Sequence, residues 1–502
     1  MACDYLYKTK PFKHQEDIFN LSRDKEYYAL LMEQGTGKTK VTIDTACWLY
    51  GTGKIDAMLV IAPCGVQRNW VLNEIPIHAP DHYFVKSAWY SSSPSKQEEK
   101  DLCAVLNTES GLRIVTINVE ALATQKGSAF IKNFLLAFRT MLVVDESSVI
   151  KSPKAIRTKT LLKLSVHAKY RRILTGTPVT QGPLDLFTQF SFLDAQILRT
   201  QSFFAFRSRY AILKEMRTNG RSFQTVTGYC NLDELQTLIA PHSYRVTKSD
   251  CLDLPEKLYS KRYVELSATQ RSLYNSLKKD MVAEFNGKVM SAPLALTKLL
   301  RLQQIVGGHF VPDIAVDFVM DDDGNLSPVN ADAVKLPPEA IDKVNPRVES
   351  LIELLEETNG KVIIWARFRA EIAQIVKRIS ETFGKESVVE YHGGVDNVDR
   401  SNNIARFQAD ASCRFFVGHV QAGGKGLTLH AATTVVYYSN DFSLENRLQS
   451  EDRCHRIGQK QNVTYIDMIA SNTLDEKIVK VLRDKHNVAD LITGDESIDS
   501  WI

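Results

Sequence analysis

The stretch Met32-Glu33-Gln34-Gly35-Thr36-Gly37-Lys38-Thr39 decides how the rest of the chain is read. An apolar run, Tyr27 to Met32, enters a short turn with two glycines, and Lys38 to Tyr50 leaves it with the spacing of a helix, carrying apolar Val41, Ile43, Ala46 and Leu49. Strand, loop and helix in that order suit a phosphate cradle. Gly35 and Gly37 admit backbone angles that a side chain forbids, so the N–H groups around Thr36 can curl about an anion at the positive end of the helix. Lys38 is placed to reach the β- and γ-phosphates of a nucleotide, and Thr39 to ligate Mg²⁺. The strict pattern asks for glycine where this chain has Met32, so an ordinary glycine turn stays open as the alternative.

Outward from that loop, the first 195 residues alternate strand-like apolar runs with helical patterns. The runs are Tyr27 to Met32, Ala57 to Ala62, Leu112 to Ile117, Met141 to Val144 and Arg172 to Leu174. Such alternation predicts an α/β lobe with a doubly wound parallel sheet and its ligand at the carboxyl ends of the strands. Residues Phe203 to Phe310 lose the short apolar runs and read as long helices, for example Ser267 to Phe285 and Pro293 to Ile305. An acidic segment with aspartate and proline, Phe310 to Asn345, reads as a surface loop. Alternation then resumes, with strands expected at Lys361 to Trp365, Val388 to Tyr391, Arg414 to Gly418, Thr434 to Tyr438 and Val463 to Asp467.

Composition agrees with several globular domains: 502 residues, 44% hydrophobic and 24% charged. No apolar run reaches membrane-spanning length and the start MACDYLYKTK has no secretory apolar core, so the expected compartment is the cytosol. Eight cysteines stand singly without a C-x-x-C pair, which argues against a zinc ribbon or a disulfide framework. The net charge is only +3, but its distribution is uneven. Lys151 to Arg172 holds eight basic residues and no acid, Arg199 to Arg221 six against Glu215, whereas Phe310 to Asn345 holds eight acids against Lys335 and Lys343. The basic stretches suit a phosphate backbone or, equally, a solvated surface.

Three further stretches carry chemistry. In MLVVDESS, Asp145 and Glu146 follow a buried strand, where one carboxylate can hold Mg²⁺ and the other orient or deprotonate a water. LTGTPV sets Thr175 and Thr177 at another strand end, and Gln15 with Phe12 precedes the glycine loop at a distance that lets an amide read adenine and a ring stack on it. In QSEDRCHRIGQ, Arg453 and Arg456 are one helical turn apart and are expected on one helix face. They suit a pair of arginine fingers acting on a γ-phosphoryl group across a cleft between two lobes.

Taken in order, these motifs resemble a superfamily-two helicase core of the Swi/Snf-related ATPase family, in a compact bacterial or phage-like form, from Gln15 to about Ile478. PFKHQ resembles the adenine motif, MEQGTGKT motif I, APCGVQRNW motif Ia, VTINVEAL motif Ib, VVDESS motif II and LTGTPV motif III. KVIIWARF resembles motif IV, GHVQAGGKGLTLHAA motif V and NDFSLENRLQSEDRCHRIGQ motif VI. Ser147-Ser148 and the pair Phe442 and Leu444 depart from the family pattern, the former where coupling between hydrolysis and motif III is set.

The resemblance implies two tandem RecA-like lobes with a helical insert: lobe one over 1–195, a helical protrusion over 196–309, an acidic linker over 310–346, lobe two over 347–482 and a tail over 483–502. It implies ATP and Mg²⁺ as cofactors, Gln449 with Arg453 and Arg456 in catalysis, and Gly426 at the nucleotide. It implies backbone contacts to double-stranded or branched DNA from Asn69, Thr116, Lys151, Lys154, Arg157, Arg367, Gly424 and Thr428, independent of base sequence. The expected activity is that of a monomeric DNA-dependent ATPase and translocase in the cytosol of a bacterium or a phage-infected host. An RNA or RNA-polymerase-associated motor, and an ATP-gated binding or inhibitory protein, are the alternatives. The acidic tail from Asp490 reads as a helix end or local packing, with a partner-docking peptide as its alternative.

Overall fold

The structure, a computed structural model, describes residues 5–63, 66–218, 221–251, 254–285, 288–291, 295–312, 318–320, 326–328, 337–423, 427–456 and 458–493. By contact density the chain falls into two units, Met1–Leu254 with a segment beginning at Asp484, and Pro255–Arg483. No helix among the described residues is long and apolar enough to cross a membrane.

The first unit is built on strands β1 (Tyr27–Met32), β2 (Ala57–Ala62), β3 (Lys86–Trp89), β4 (Arg113–Asn118), β5 (Thr140–Asp145) and β6 (Tyr170–Leu174), followed by an antiparallel ribbon of β7 (Ala211–Thr218) and β8 (Arg221–Tyr229), and then β9 (Ser243–Val246). Seven of them form one parallel sheet in the order β3-β4-β2-β5-β6-β1-β9. The central strands read as unbroken apolar runs because both faces are covered. Along β1, Ala29 and Leu31 enter one core and Tyr28, Leu30 and Met32 the other; along β5, Leu142 and Val144 part from Met141 and Val143 in the same way.

The second unit holds a six-stranded parallel sheet ordered Lys257–Val264, Val463–Ala470, Ala432–Tyr437, Lys361–Trp365, Phe415–Gly418 and Val388–Tyr391. Its strand faces divide likewise, Val362 and Ile364 into one core and Ile363 and Trp365 into another. Two doubly wound parallel-sheet lobes are therefore present, as expected.

The stretch between them differs from the helical insert that was expected. Helices Phe203–Tyr210, Leu232–Ile239, Ala268–Asp280 and Ala295–Val306 are there, but Ser243–Val246 adds an edge to the first sheet and Lys257–Val264 an edge to the second. Residues 196–309 are thus shared between the two units. The helix expected over Ser267 to Phe285 starts on a capping box, with Ser267 Oγ accepting from Gln270 N at 3.0 Å, and stops at Met281, whose φ is +63°. Val282–Phe285 then pairs with Lys288–Ser291. Within the expected acidic loop, Phe318–Met320 pairs with Leu326–Pro328 and Glu339–Ala340 with His309–Phe310. Asp313, Asp317, Asp321, Asp322, Asp323 and Asp332 lie outside the described residues, as does the tail from residue 494.

Candidate nucleotide and nucleic-acid sites

The glycine loop leaves the buried end of β1 and closes on the helix Lys38–Gly51. Met32 is fully buried in the core, which explains an apolar residue there: it is the last residue of the strand and not part of the turn. Gly35 and Gly37 have φ of +84° and +93°. A Cβ on Gly37 would stand 2.2 Å from Gln15 Nε2, so only glycine fits both the angle and the space. The Gln15 side chain, 5% exposed, accepts from Phe12 N at 3.1 Å and donates to Thr36 O at 3.1 Å; the neighbouring His14 ring lies 2.8 Å from the same carbonyl and stacks on Phe12 at 5.9 Å. The pair read as an adenine site thereby also braces the loop. Lys38 Nζ folds back over it, donating to Met32 O at 2.9 Å and Glu33 O at 3.2 Å. Thr39, half-buried, follows on the same first helical turn.

Asp145 ends β5, and Glu146 after it adopts φ +50°, a left-handed angle that a non-glycine residue holds only under constraint. Glu146 N donates to Asp145 Oδ1 at 2.9 Å, and the indole of Trp70 donates to Asp145 Oδ2 at 2.8 Å. Burial pushes the Asp145 carboxyl up, opposed by the Trp70 hydrogen bond and the charge of Lys38. Gln34 of the glycine loop donates to Glu146 Oε1 at 3.3 Å. Each Asp145 oxygen accepts one hydrogen bond here and so keeps lone-pair capacity for a cation. The donor set, one carboxylate and one hydroxyl beside a phosphate cradle, fits Mg²⁺ carried on a nucleotide.

Trp70 opens a π-helical segment, Trp70–Glu74, set between the helical pieces Val66–Asn69 and Ile75–His78. Such bulges re-aim the side chains next to them and concentrate at functional sites. Sequence reasoning quoted Trp70 within motif Ia and missed its contact with the carboxylate 75 positions away.

Motif III lies directly against the loop. A Cβ on Gly176 would sit 3.1 Å from Glu33 Cα and 3.2 Å from Gln34 N, so the two backbones pass in contact. Arg245 on β9 donates to Gly176 O at 3.0 Å and to Leu31 O at 3.2 Å, while Lys248 N donates to Glu33 Oε2 at 2.8 Å. Ser147, the departure in motif II, donates to Gln189 Oε1 at 2.6 Å, and Gln189 Nε2 donates to Pro178 O at 2.8 Å. A buried amide therefore joins motif II to motif III. Gln189 and Arg245 were not singled out in the sequence because each acts through a partner distant along the chain.

In the second unit the helix expected to carry both arginines, observed as Leu444–Glu451, ends before them. Arg453 and Arg456 instead occupy successive turns, with Arg453 N on Ser450 O and His455 N on Glu451 O. They still converge: Nη1 of each lies 3.3 Å from Leu427 O of motif V, and Arg456 also donates to Thr428 Oγ1 at 2.8 Å. Gln449, 3% exposed, sits one turn earlier. Below them is a buried charge cluster that the sequence did not announce. Arg447 donates to Glu451 Oε1 at 2.8 Å and to both Asp467 oxygens at 2.6 and 3.0 Å, over the Tyr437 ring at 3.6 Å. Burial alone would raise the Glu451 carboxyl, but Lys257, Arg447 and Tyr259 hold it down at about 2.

The expected DNA-contacting residues separate into groups. Asn69 and Lys154 are exposed. Lys151 Nζ donates to Thr180 Oγ1 at 2.6 Å, and Arg157 pairs with Glu120 at 2.9 Å. Arg367 holds the side-chain oxygen of Gln303, and Thr428 is engaged by Arg456 as above. Thr116 departs from expectation: it is fully buried in β4 with its hydroxyl on Gln67 O at 3.0 Å, so it fixes the motif Ia segment and presents nothing to a phosphate. The basic run Lys151 to Arg172 is likewise not one surface. Arg172 is buried, donating to the carbonyls of Ser22, Lys25, Glu26 and Arg171, and burial brings its guanidinium down to about 10; Arg171 caps the carbonyls of Ala168, Phe192 and Leu193. Gly424 and Gly426 lie outside the described residues.

A phosphate loop braced by motif III on one parallel sheet, and an arginine turn clasped to motif V on another, define a helicase-type ATPase. Residues 19–308 match the family described as SNF2-related domain, and residues 346–458 match the helicase conserved C-terminal domain. The chain belongs to the SNF2-related family of helicase-like ATPases. It is 28% identical over 456 residues to a Bacillus subtilis protein named putative ATP-dependent helicase/translocase YwqA, covering 88% of this chain and 44% of that one. It is 25% identical over 466 residues to the TATA-binding protein-associated factor MOT1 of Saccharomyces cerevisiae, covering 88% and 24%. The chain thus spans less than half the length of these two relatives. The solved Sulfolobus solfataricus SWI2/SNF2 ATPase core in complex with dsDNA is similar at 22% identity and a TM-score of 0.42, covering 100% of this chain and 96% of that one.

Proposed function

We propose that this chain is a DNA-dependent ATPase that translocates on duplex or branched DNA, remodelling DNA structures or displacing bound proteins without reading base sequence. The observation that carries the proposal is the Trp70 to Asp145 hydrogen bond at 2.8 Å, because it joins the motif Ia helix, where Asn69 is exposed, to the carboxylate at the nucleotide. Bound nucleotide and Mg²⁺ would supply the scissile phosphoanhydride and neutralise its charge. Lys38, held on the Met32 and Glu33 carbonyls, would meet the phosphates, while Thr39 and Asp145 would hold the metal. Glu146, steered by Gln34 and by its own backbone angle, orients the attacking water and accepts its proton. Arg453 and Arg456, oriented by the Leu427 carbonyl and Thr428, meet the charge that develops on the transferred group.

The nucleic-acid reading draws support from exposed Lys154 and Asn69 and from Lys151, whose partner Thr180 also donates to Asp185 Oδ2 at 3.0 Å just after motif III. Contacts of this class are to phosphates, so affinity should fall steeply with salt and little with base sequence. The test is ATP turnover and triplex displacement across duplex, forked and single-stranded DNA and RNA. Stimulation by duplex or forked DNA is expected; stimulation by RNA alone would move the assignment to an RNA motor, and no stimulation by any nucleic acid would defeat it.

A further inference from the structure

Gln303 is a buried amide that no step of the proposed hydrolysis uses. It lies on the helix Ala295–Val306, 4% exposed, and both of its polar atoms reach other segments of the second unit. Oε1 accepts from Arg367 Nη1, 64 positions away, and Nε2 donates at 2.9 Å to Asn440 O, 137 positions away. An amide placed so fixes the two segments against each other, because losing either hydrogen bond would strand a buried polar group.

Both segments lie in motifs. Arg367 follows the strand Lys361–Trp365 in motif IV, and its backbone is as constrained as its side chain. Arg367 N donates to Ser439 Oγ at 2.8 Å and to Glu371 Oε2 at 3.1 Å, and Ser439 Oγ donates to the same carboxylate oxygen at 2.7 Å. The half-buried guanidinium lies 5.5 Å from the centroid of the Phe368 ring, and among the described residues it has no carboxylate partner. A neutral amide therefore holds this cation without cancelling its charge and occupies only part of its fork of N–H donors. Asn440 opens motif VI. Its Nδ2 donates to Asp467 Oδ1 at 2.6 Å and its Oδ1 accepts from Arg447 at 3.2 Å, inside the buried cluster that holds Glu451.

We propose that Gln303 is a positioning residue of the motor: it aims a fully charged Arg367 at a nucleic-acid phosphate and ties that contact, through Asn440, to the Arg447–Glu451 cluster beneath Arg453 and Arg456. The proposal rests on the DNA-motor reading and deepens it, because it names the connection by which nucleic acid on the second unit stimulates hydrolysis. The two ends of the amide divide the work. The oxygen orients the guanidinium, where an acid would pair with it and compete with phosphate. The nitrogen pins the Asn440 carbonyl just ahead of the helix Leu444–Glu451, so a displacement of Arg367 acts on that helix start through two hydrogen bonds.

The test combines ATP turnover of the full chain with and without saturating duplex DNA, equilibrium binding to the same duplex over a range of salt, and thermal melting as the fold control. Gln303→Met is of similar volume and frees the guanidinium while leaving its charge. Its slope of log affinity against log salt is expected to match the parent's, while stimulation by duplex falls about tenfold. Gln303→Glu pairs with Arg367 and cancels its charge, so the slope is expected to drop by about 0.9, as in Arg367→Ala. In the Arg367→Ala background neither Gln303 variant should lower stimulation further. Arg367→Lys reads the same contact from its half-buried side: it keeps the charge without the planar fork, so the slope should hold and stimulation should fall. Parental stimulation in Gln303→Met or Arg367→Lys, a parental slope in Gln303→Glu, or losses that add to those of Arg367→Ala would overturn the positioning role and leave the motor intact. A parent chain that duplex neither binds nor stimulates overturns both.

Discussion

Glu451 offers the sharpest quantitative test of how the arginine turn is held. Its backbone carbonyl accepts from Cys454, His455 and Tyr465, at 3.2, 3.1 and 3.0 Å, so the residue is the platform on which Arg453 and Arg456 turn. Its carboxylate is completely buried, 2.8 Å from Arg447 and 3.1 Å from Lys257. Those cations take it from the ordinary 4.5 to about 2. At 1.36 kcal/mol per unit that displacement is linked to about 3 kcal/mol of folding stability at neutral pH. The folded value is the lower one, so the stability is present above 4.5 and is lost as pH falls toward 2; the linkage relation leaves about 2 kcal/mol at pH 3.5. Glu451→Gln keeps the shape, removes the charge and leaves buried Arg447 and half-buried Lys257 without the carboxylate they share. The assay is urea unfolding with pulsed hydrogen exchange on the strand Val463–Ala470 at both pH values. The parent should exceed the variant by about 3 kcal/mol or more at pH 7, with the gap narrowing at pH 3.5. A gap under about 1 kcal/mol at pH 7, or one that widens on acidification, would refute the reasoning.

Three further outcomes are expected. Trp70→Phe keeps an aromatic ring but strips Asp145 Oδ2 of its donor; at about 1.5–3 kcal/mol for a hydrogen bond to a buried charge, steady-state kcat should fall about ten- to hundredfold with a smaller change in KM for ATP, and an unchanged kcat would reject the link. Ser147→Ala removes the hydroxyl that joins motif II to Gln189, so ATP turnover on DNA should persist while triplex displacement per ATP declines; a parallel loss of both would place Ser147 in hydrolysis itself. Lys38→Ala and Arg456→Ala should each abolish DNA-stimulated turnover, and a fully active Arg456→Ala enzyme would remove the arginine turn from the reaction.

The central strands were legible because burial on both faces leaves an unmistakable apolar run, as at Ala57 to Ala62. The edge strands were not. Lys86–Trp89 is half solvated, Ser243–Val246 is partly polar, and Lys257–Val264 alternates exposed and half-buried residues over most of its length. A parallel neighbour fixes each as a strand, and its pairing partner lies far off in the chain: β9 pairs with β1, and Lys257 pairs with Val463. The ribbon β7–β8 escaped for a related reason, since Ile212 to Glu215 and Gln224 to Tyr229 are exposed or half-buried and show no period-two apolar pattern.

In the site, residue types were legible and their alliances were not. Arg453 and Arg456 do converge, but through turns that bring both guanidinium groups to Leu427 O, and not through a shared helix face. Helical spacing anticipated their proximity because a chain of consecutive tight turns also advances about one turn in three residues. The basic run Lys151 to Arg172 misled in the opposite direction: charge density alone cannot separate Lys154, which meets solvent, from buried Arg172, whose guanidinium is taken up by four backbone carbonyls. What distinguishes them is the strand that begins at Tyr170, since a cation inside a parallel sheet has no water and must find carbonyls. The same logic marks the functional wiring. Asp145 and Ser147 stand two residues apart and send buried hydrogen bonds in different directions, one to Trp70 beside Asn69, the other to Gln189 and so to Pro178. If the proposed nucleotide site acts through both contacts separately, the effects of Trp70→Phe and Ser147→Ala on displacement should multiply, and a double variant no worse than the weaker single one would overturn that reading.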